Sequence, residues 1–192
     1  MAQPTHHRFT FGEYIRIEED SAVKHEFFGG QVFAMAGGSP EHAGITANVA
    51  RLLGNALEGK PCRVFSPDLR VRVRATGLGT YPDATVVSDS IEIDPEDPKR
   101  HTALNPRMLV EVLSPSTEDY DRGDKLGQYK QIESLMEVML VAHDRTEVEV
   151  VRREADGSWS RHIARGGDVV RLESIRCEIP VSAIYSNPLA AS

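Results

Sequence analysis

Three charged residues in the middle of the chain have the types and the order that phosphate chemistry needs. Asp83 follows Pro82 at the start of a predicted strand, Glu111 lies inside a later apolar run, and Lys125 falls in the helix-like segment after it. Carboxylates on neighbouring strands are about 5 Å apart at their backbones. Mg²⁺ is typically held by one or two carboxylates, with waters and substrate phosphates completing its shell. A nearby lysine could orient a water or stabilise developing negative charge. The pattern predicts a magnesium site held by Asp83 and Glu111, with Lys125 beside it.

The position of Glu111 is the strongest part of this pattern. The run RMLVEVL, residues 107–113, is typical of a strand buried on both faces. A buried carboxylate is costly unless it is compensated. A divalent cation would compensate it, and so would an ion pair with Lys125 or an arginine. Both alternatives are open from the residues alone.

A helix is predicted from about Glu118 to Ser134, with Ser116 or Thr117 as its cap. Asp121, Lys125 and Tyr129 are spaced i, i+4 and i+8 and therefore share one face, which Gln128 flanks. Other side chains of the helix are expected to pack elsewhere: Tyr120, Leu126 and Ile132.

The elements around these residues follow in a mixed order. The patterns predict a helix over about 10–19 capped by Thr10, a hairpin turning at Gly29-Gly30, and a helix from Ser39-Pro40 to about Glu58. Strands are predicted over 62–73, 81–87, 107–113, 137–143 and 169–172, with a hairpin around Ala155-Asp156-Gly157. This order predicts an α/β (mixed α+β) fold, with a central mixed sheet flanked by helices.

A basic stripe and an acidic segment complete the pattern. Arg70, Arg72 and Arg74 alternate along the end of the 62–73 strand, and the segment 89–106 is acidic and contains prolines. The segment is predicted to be an exposed, mobile loop. The arginines are expected to pair with this loop, and phosphate contact is the alternative.

Composition limits the class of protein. The chain has 192 residues, a net charge of −7 and 40% apolar residues, which suits one soluble globular domain over 1–192 with flexible ends at 1–8 and 187–192. No apolar run reaches the roughly 20 residues of a membrane span, and no secretory signal is evident. Two cysteines without metal-ligand spacing, Cys62 and Cys177, suggest a reduced cytoplasm. The acidic balance argues against tight metal-free binding to DNA.

The stretches YPDATVV and MLVEVLSPSTEDYDRGDKLGQYKQ resemble a family of small bacterial proteins described as putative restriction endonucleases. The family is catalogued as domain of unknown function 820, within the PD-(D/E)XK nuclease superfamily. The resemblance covers about residues 8 to 150. The matching positions are Glu26, His42, Pro82-Asp83, residues 111–117, Asp121, Lys125 and Tyr129.

The resemblance implies a restriction-endonuclease-like core, with an N-terminal helix-hairpin and a C-terminal β-hairpin. It also implies cleavage of DNA phosphodiester bonds that depends on Mg²⁺, with Mn²⁺ as an alternative. By this analogy the catalytic residues are Glu26, Asp83, Glu111 and Lys125, of which Asp83 and Glu111 bind the metal. Supporting or substrate-binding roles fall to His42, Ser114, Asp121, Gln128 and Tyr129.

Two departures from the superfamily pattern bear on activity. Leu113 occupies the position two residues after the glutamate, where the superfamily has its lysine, so Lys125 is the substitute. The segment SLMEVMLVAHD keeps Glu137 and Asp144 but lacks the family's proline and tryptophan. The second departure is interpreted as core variation. The missing strand lysine and the net charge of −7 favour the alternative to a nuclease, a catalytically silent protein of this fold that serves as a nucleic-acid-binding or assembly module. A divalent-metal enzyme acting on a smaller phosphate ester is a third possibility. A nuclease that cuts both strands needs two sites, which predicts a homodimer.

Overall fold

Two large β-sheets, a separate two-stranded sheet and their supporting helices make up the computed structural model, which describes residues 7–187. The helices are α1 (Phe11–Asp20), α2 (Pro40–Ala56), α3 (Glu118–Tyr120), α4 (Leu126–Tyr129) and α5 (Val181–Ile184). The first strands are β1 (His25–Phe28), β2 (Gln31–Ala34), β3 (Cys62–Phe65), β4 (Arg70–Val73), β5 (Leu78–Thr80), β6 (Ala84–Ser88) and β7 (Thr102–Ala103). The later strands are β8 (Met108–Leu113), β9 (Glu137–Ala142), β10 (Glu147–Arg153), β11 (Trp159–Arg165), β12 (Val169–Leu172) and β13 (Cys177–Pro180).

Both large sheets combine parallel and antiparallel pairs. The first sheet has the order β2-β1-β5-β4-β7, and the second has the order β11-β10-β9-β8-β6-β3. The pairs β4–β7 and β8–β9 are parallel, and their neighbours in each sheet are antiparallel. Strands β12 and β13 form a separate hairpin. The predicted mixed α+β architecture, with mixed sheets flanked by helices, is confirmed.

The N-terminal helix and hairpin form as predicted. The Thr10 side chain accepts from the backbone N–H of Glu13 while the Glu13 carboxylate accepts from the Thr10 N–H, so a complete capping box begins α1. The turn between β1 and β2 places Gly29 and Gly30 at φ +59° and +80°, a region that side chains rarely adopt. Phe27 of β1 packs on the apolar face of α1.

Two apolar cores lie on the two faces of the second sheet. Helix α2 covers one face and contributes Ile45, Val49 and Leu53 to the first core. The opposite face packs against β4, β5 and the helical segment 118–129 in the second core.

The late hairpin of β10 and β11 turns at Gly157, as its sequence predicts.

The prediction of one strand over 62–73 is wrong. Residues 62–65 form β3 at the edge of the second sheet, whereas residues 70–73 form β4 inside the first sheet. A proline cannot donate a ladder hydrogen bond, and Pro67 lies between the two strands. The chain therefore crosses from one sheet to the other at 66–69.

The helix predicted to reach Ser134 ends earlier. The helical segment runs over 118–129, and a π turn (Asp121–Lys125) joins α3 to α4. Thr117 is the N-terminal boundary residue as predicted, but its side chain makes no cap hydrogen bond. The expectation that Tyr120 packs is also wrong, because this side chain is exposed. Leu126 and Ile132 are buried as expected.

The acidic segment 89–106 is not an exposed loop throughout. Asp94 and Asp97 are buried, and β7 within the segment pairs with β4. The ion pairs of the arginine stripe explain this anchoring: Arg70 pairs with Asp97, Arg72 with Asp94 and Glu96, and Arg74 with Glu92. The expected pairing of stripe and loop is thus confirmed, although Arg70 is buried rather than solvated.

Some predictions concern residues at the ends of the chain. The expected flexible ends, 1–8 and 187–192, fall mostly outside the described residues. The C-terminal part adds β13 and α5, which the sequence patterns do not predict. Within residues 7–187, no helix has both the length and the apolar character needed to cross a bilayer.

Candidate active site

Alternation along β8 directs Glu111 into the second core. Successive side chains of a strand point to opposite faces. Met108, Val110 and Val112 pack in the first core under α2. Leu109 and Leu113 pack in the second core against the 118–129 segment. Glu111 shares their face, so its carboxylate is buried among the side chains of that segment.

Asp83 lies beside Glu111 across the β6–β8 pair. Ala84 is paired with Val110, and one further step of this antiparallel register sets Asp83 opposite Glu111. The Oδ2 atom of Asp83 accepts a hydrogen bond of 2.7 Å from the Val112 N–H. His42, in the first turn of α2, brings its Nε2 atom within 3.3 Å of the same oxygen.

Lys125 is the centre of the site. Its Nζ atom lies 3.0 Å from Glu111 Oε1, 3.1 Å from Glu26 Oε1 and 3.3 Å from Asp121 Oδ1. Tyr129 donates from its hydroxyl to Glu111 Oε1 at 2.5 Å. The π turn begins at Asp121 and ends at Lys125, and both side chains are buried. π turns inside α-helices occur frequently at functional sites.

Glu26 reaches the site from the first sheet. It lies on β1, and its Oε1 atom accepts a hydrogen bond from the Thr80 hydroxyl on the neighbouring strand β5. Thr80 is fully buried, so this bond is shielded from water. The two sheets and the 118–129 segment therefore each supply carboxylates to one lysine.

The site contains more carboxylates than basic groups, and this imbalance affects the pKa values of its residues. Burial raises the pKa of Glu111 to about 8, and the neighbouring charges of Asp121 and Asp83 add to the rise against the opposing effect of Lys125. Burial alone would lower the pKa of Lys125, but the surrounding carboxylates outweigh it and hold the pKa above its ordinary value. The hydrogen bond to Asp83 raises the pKa of His42. The site thus holds excess negative charge beside a firmly protonated lysine.

The carboxylate oxygens of the site are the type of donor that Mg²⁺ binds. Among residues 7–187, no group of three or more His, Cys, Asp or Glu side chains has the arrangement of a ready-made metal site. Mg²⁺ does not require one, because waters and substrate phosphates usually complete its shell. Asp83 and Glu111 are neighbouring oxygen donors by strand register, and a divalent cation would offset the charges of Asp121 and Asp83, which add to the effect of burial on the pKa of Glu111.

The nine predicted site residues are not all brought together. Five of them, namely Glu26, Glu111, Asp121, Lys125 and Tyr129, are joined by direct contacts, and His42 and Asp83 form a separate pair beside the neighbouring strand. Ser114 lies just past β8 and bonds with the hydroxyls of Ser116 and Thr117. Gln128 lies on the 118–129 segment, and its buried Oε1 atom has no hydrogen-bond partner.

Two residues of the site are missed by sequence reasoning. Thr80 is fully buried, and its hydroxyl donates to Glu26. The sequence feature that could have indicated this residue is the hydroxyl side chain in the GTYPD stretch, three residues before Asp83. Tyr120 is exposed, and its ring lies 5.9 Å from Lys125 Nζ. It directly precedes Asp121, and a regular helix would direct its side chain away from the face of Asp121 and Lys125. Helical spacing therefore does not indicate that Tyr120 belongs to the site.

A comparison with models of protein families shows which family the chain belongs to. The model of the Uma2 family, described as "Putative restriction endonuclease", matches residues 11–182. The chain belongs to the Uma2 family. The matched range contains the five connected residues around Lys125 and the pair of His42 and Asp83.

Two relatives come from the cyanobacterium Synechocystis sp. (strain ATCC 27184 / PCC 6803 / Kazusa). The uncharacterized protein slr1290 is 36% identical over 174 residues, which cover 90% of this chain and 89% of the relative. The uncharacterized protein sll1609 is 30% identical over 150 residues, which cover 78% and 84% of the two chains.

A solved structure shares the fold. The crystal structure of a putative nuclease belonging to DUF820 from Anabaena variabilis ATCC 29413 superimposes with a TM-score of 0.74. The match covers 92% of this chain and 97% of that chain at 16% sequence identity. The Uma2 chain therefore has the nuclease-like fold that its resemblance predicts.

Proposed function

We propose that this protein is a Mg²⁺-dependent endonuclease that hydrolyses phosphodiester bonds in DNA. The observation that carries the proposal is the contact of Lys125 Nζ with three carboxylates at 3.0–3.3 Å, beside a fourth carboxylate on Asp83. Lysine beside paired acidic residues is the constellation expected for hydrolysis of a phosphate ester. Membership of the Uma2 family supports the nuclease class.

The proposed roles follow from the positions of the groups. Asp83 and Glu111 would hold the ion, and Mg²⁺ would lower the pKa of a bound water and neutralise charge on the phosphate. Lys125 keeps its proton at Nζ and would donate a hydrogen bond to an oxygen that becomes more negative. Glu26 and Asp121 hold that ammonium in place. His42 holds the Asp83 carboxylate and is a donor near the entering phosphate.

Plasmid nicking with Mg²⁺ or Mn²⁺ tests the proposal. We expect the wild-type protein to nick supercoiled plasmid, and both Asp83→Asn and Lys125→Met to lower the rate on the order of 100-fold or more. Asp124→Asn is the matched control, because Asp124 is an exposed carboxylate on the same helical segment. Nicking that survives both site substitutions would come from a contaminant, and the proposal would fail.

Calorimetry separates a metal site from a structural ion pair. We expect Mg²⁺ to bind the wild-type protein and to bind Glu111→Gln far more weakly, because the amide oxygen is a poorer ligand than a carboxylate. Wild-type protein that binds DNA but neither binds Mg²⁺ nor cuts DNA would favour the silent binding module instead. The absent strand lysine, replaced by Leu113, is the feature that favours this alternative.

Three further parts of the proposal concern the whole protein. We propose that residues 1–192 form one nuclease domain, that two copies act together so that both DNA strands are cut, and that the protein works in the cytoplasm. Cys62 and Cys177 are both free thiols, as a reducing compartment favours.

A further inference from the structure

Exposed aromatic side chains surround one edge of the candidate active site. Within residues 7–187, three aromatic side chains are exposed: Phe28, Phe33 and Tyr120. Exposed large apolar side chains that occur singly need no explanation, but a group of them at one site marks an interaction surface.

The strand register sets Phe33 beside Glu26. The two residues are direct partners in the antiparallel pair of β1 and β2, so their side chains lie on the same face. Phe28 follows Glu26 by two residues and therefore shares that face. The opposite face of the hairpin carries Phe27 and Val32, which pack toward α1. The phenylalanines on the face of Glu26 remain 38% and 49% exposed.

Tyr120 approaches the same carboxylate from the helical side. A hydrogen bond and the charge of Glu26 both contribute to the raised pKa of Tyr120, after burial. Its ring is 37% exposed and lies 5.9 Å from Lys125 Nζ. The Glu26–Lys125 contact is thus flanked by a phenylalanine from the hairpin and by a tyrosine from α3.

The arginine stripe, which could hold a DNA duplex, is committed to other contacts. The net charge is −7, and all three arginines of the 70–74 stripe form ion pairs with the acidic segment 89–106. Duplex binding depends mainly on phosphate neutralisation by lysine and arginine. Stacking of bases on aromatic rings needs no cation and is available to unpaired bases of any sequence.

We infer that Phe33 and Tyr120 bind unpaired bases of a single DNA strand beside the scissile phosphate, with Phe28 extending the same surface. The inference rests on the proposed nuclease function and names its substrate class: single-stranded or locally unpaired DNA rather than intact duplex. A base stacked on either ring would place its own phosphodiester next to the Glu26–Lys125 contact.

Fluorescence anisotropy of a labelled oligothymidylate of about 15 nucleotides tests the inference. The titration is done in EDTA, so that binding is measured without cleavage, and it is repeated with the same strand in a duplex. We expect tighter binding of the single strand, and a loss of roughly 5- to 100-fold for each of Phe33→Leu and Tyr120→Leu. Ile163→Ala, which changes an exposed apolar residue of β11, should leave the affinity unchanged.

A parallel cleavage assay with Mn²⁺ distinguishes the two proposals. Single-strand binding that needs Phe33 and Tyr120, without any cleavage, would overturn the nuclease function and keep the binding site. Cleavage that prefers duplex and ignores both substitutions would overturn the inference and keep the nuclease. Dissociation of a dimer by Phe33→Leu in sedimentation, with oligonucleotide affinity unchanged, would assign the surface to a second copy of the chain and also overturn the inference.

Discussion

At the scale of single residues, Lys125 is held by carboxylates from three separate parts of the fold. Removing the ammonium leaves Glu26, Glu111 and Asp121 without their shared cation. We expect Lys125→Met to lower the free energy of unfolding by about 3–5 kcal/mol at neutral to alkaline pH, as for other broken buried pairs. Urea denaturation measures this loss.

A surface lysine provides the comparison for that change. Lys99 forms an exposed ion pair with Glu19 at 3.6 Å. Exposed pairs contribute about 0–1 kcal/mol, so Lys99→Met should have a small effect at every pH. Equal losses for the two substitutions would show that the three-carboxylate contact has no special energetic weight.

Glu111 should make the metal-free protein less stable as the pH rises. Its pKa is about 8 in the fold against an ordinary value of 4.5, so between these values the folded chain holds a proton that the unfolded chain has released. The contribution of Glu111 to stability is therefore full below about pH 4.5 and is lost progressively as the pH approaches about 8. Glu111→Gln cannot ionise and should remove this part of the decline in urea denaturation with EDTA. An unchanged pH dependence in the variant would contradict the buried-acid description.

His42 is a second titrating group of the site, and it lies beside Asp83. The hydrogen bond to Asp83 raises the pKa of His42 above its ordinary 6.5. We expect Asp83→Asn to bring this pKa back down, because the negative charge that favours imidazolium is gone. Nuclear magnetic resonance of the imidazole protons measures the shift, and an unmoved His42 titration in the variant would place the origin of the rise elsewhere.

Sequence spacing predicts the meeting of Glu111 and Lys125 because two simple periods determine it. Alternation on β8 and the i, i+4 spacing of the helix each select a face, and the faces point toward each other. The role of Thr80 cannot be predicted in this way, because a three-residue strand is too short to show a periodic pattern of side chains. Its contact with Glu26 depends on how β1 pairs with β5, and the sequence contains no signal for that pairing.

At the scale of elements, α1 and β5 approach closely at Gly79. A Cβ atom at this position would lie 3.0 Å from the rings of both Phe11 and Tyr14. We expect Gly79→Ala to destabilise the protein by about 1–3 kcal/mol, because two packed rings must move. Thermal or urea unfolding measures the change.

A glycine-to-alanine substitution on an open helix face should stabilise the protein instead of destabilising it. Gly127 lies in α4, and nothing lies within 4 Å of the position that an added methyl group would take. Gly127→Ala is therefore expected to stabilise by about 0.5–1 kcal/mol through helix propensity. A destabilised Gly127→Ala variant would contradict the open space at this face.

The strand prediction for 62–73 illustrates a limit of local patterns. Both halves have β-forming residues, so each half is recognised as a strand. The transfer of the chain between two sheets at 66–69 depends on tertiary pairing of β3 with β6 and of β4 with β5. Alternating apolar residues specify a strand and its faces, but they do not specify which sheet the strand joins.

At the scale of the whole molecule, the acidic segment 89–106 neutralises the arginine stripe. Asp97 accepts from Arg70, from the Thr102 hydroxyl and from two backbone N–H groups, and it is buried. We expect Asp97→Ala to lower the free energy of unfolding by about 3–5 kcal/mol, because the buried Arg70 loses the nearer of its two carboxylate partners.

An exposed pair in the same segment is the matched control. Arg74 and Glu92 are both more than half exposed, and Glu92→Ala should change stability by about 0–1 kcal/mol. Comparable unfolding curves for the two variants would show that the segment is not anchored through Asp97. Sequence patterns predict the charge pairing here, but not the burial, since burial requires β7 to join the first sheet.

The π turn at Asp121–Lys125 has a genetic consequence. Such a turn accommodates one residue more than regular winding needs, so the helix turns on either side keep their packing. Loss of a single codon between these two residues would restore ordinary winding while Leu126 and Tyr129 could still fill the core. Asp121 and Lys125 would then be three positions apart instead of four, so the carboxylate and the ammonium would lose their present alignment in a single mutational event.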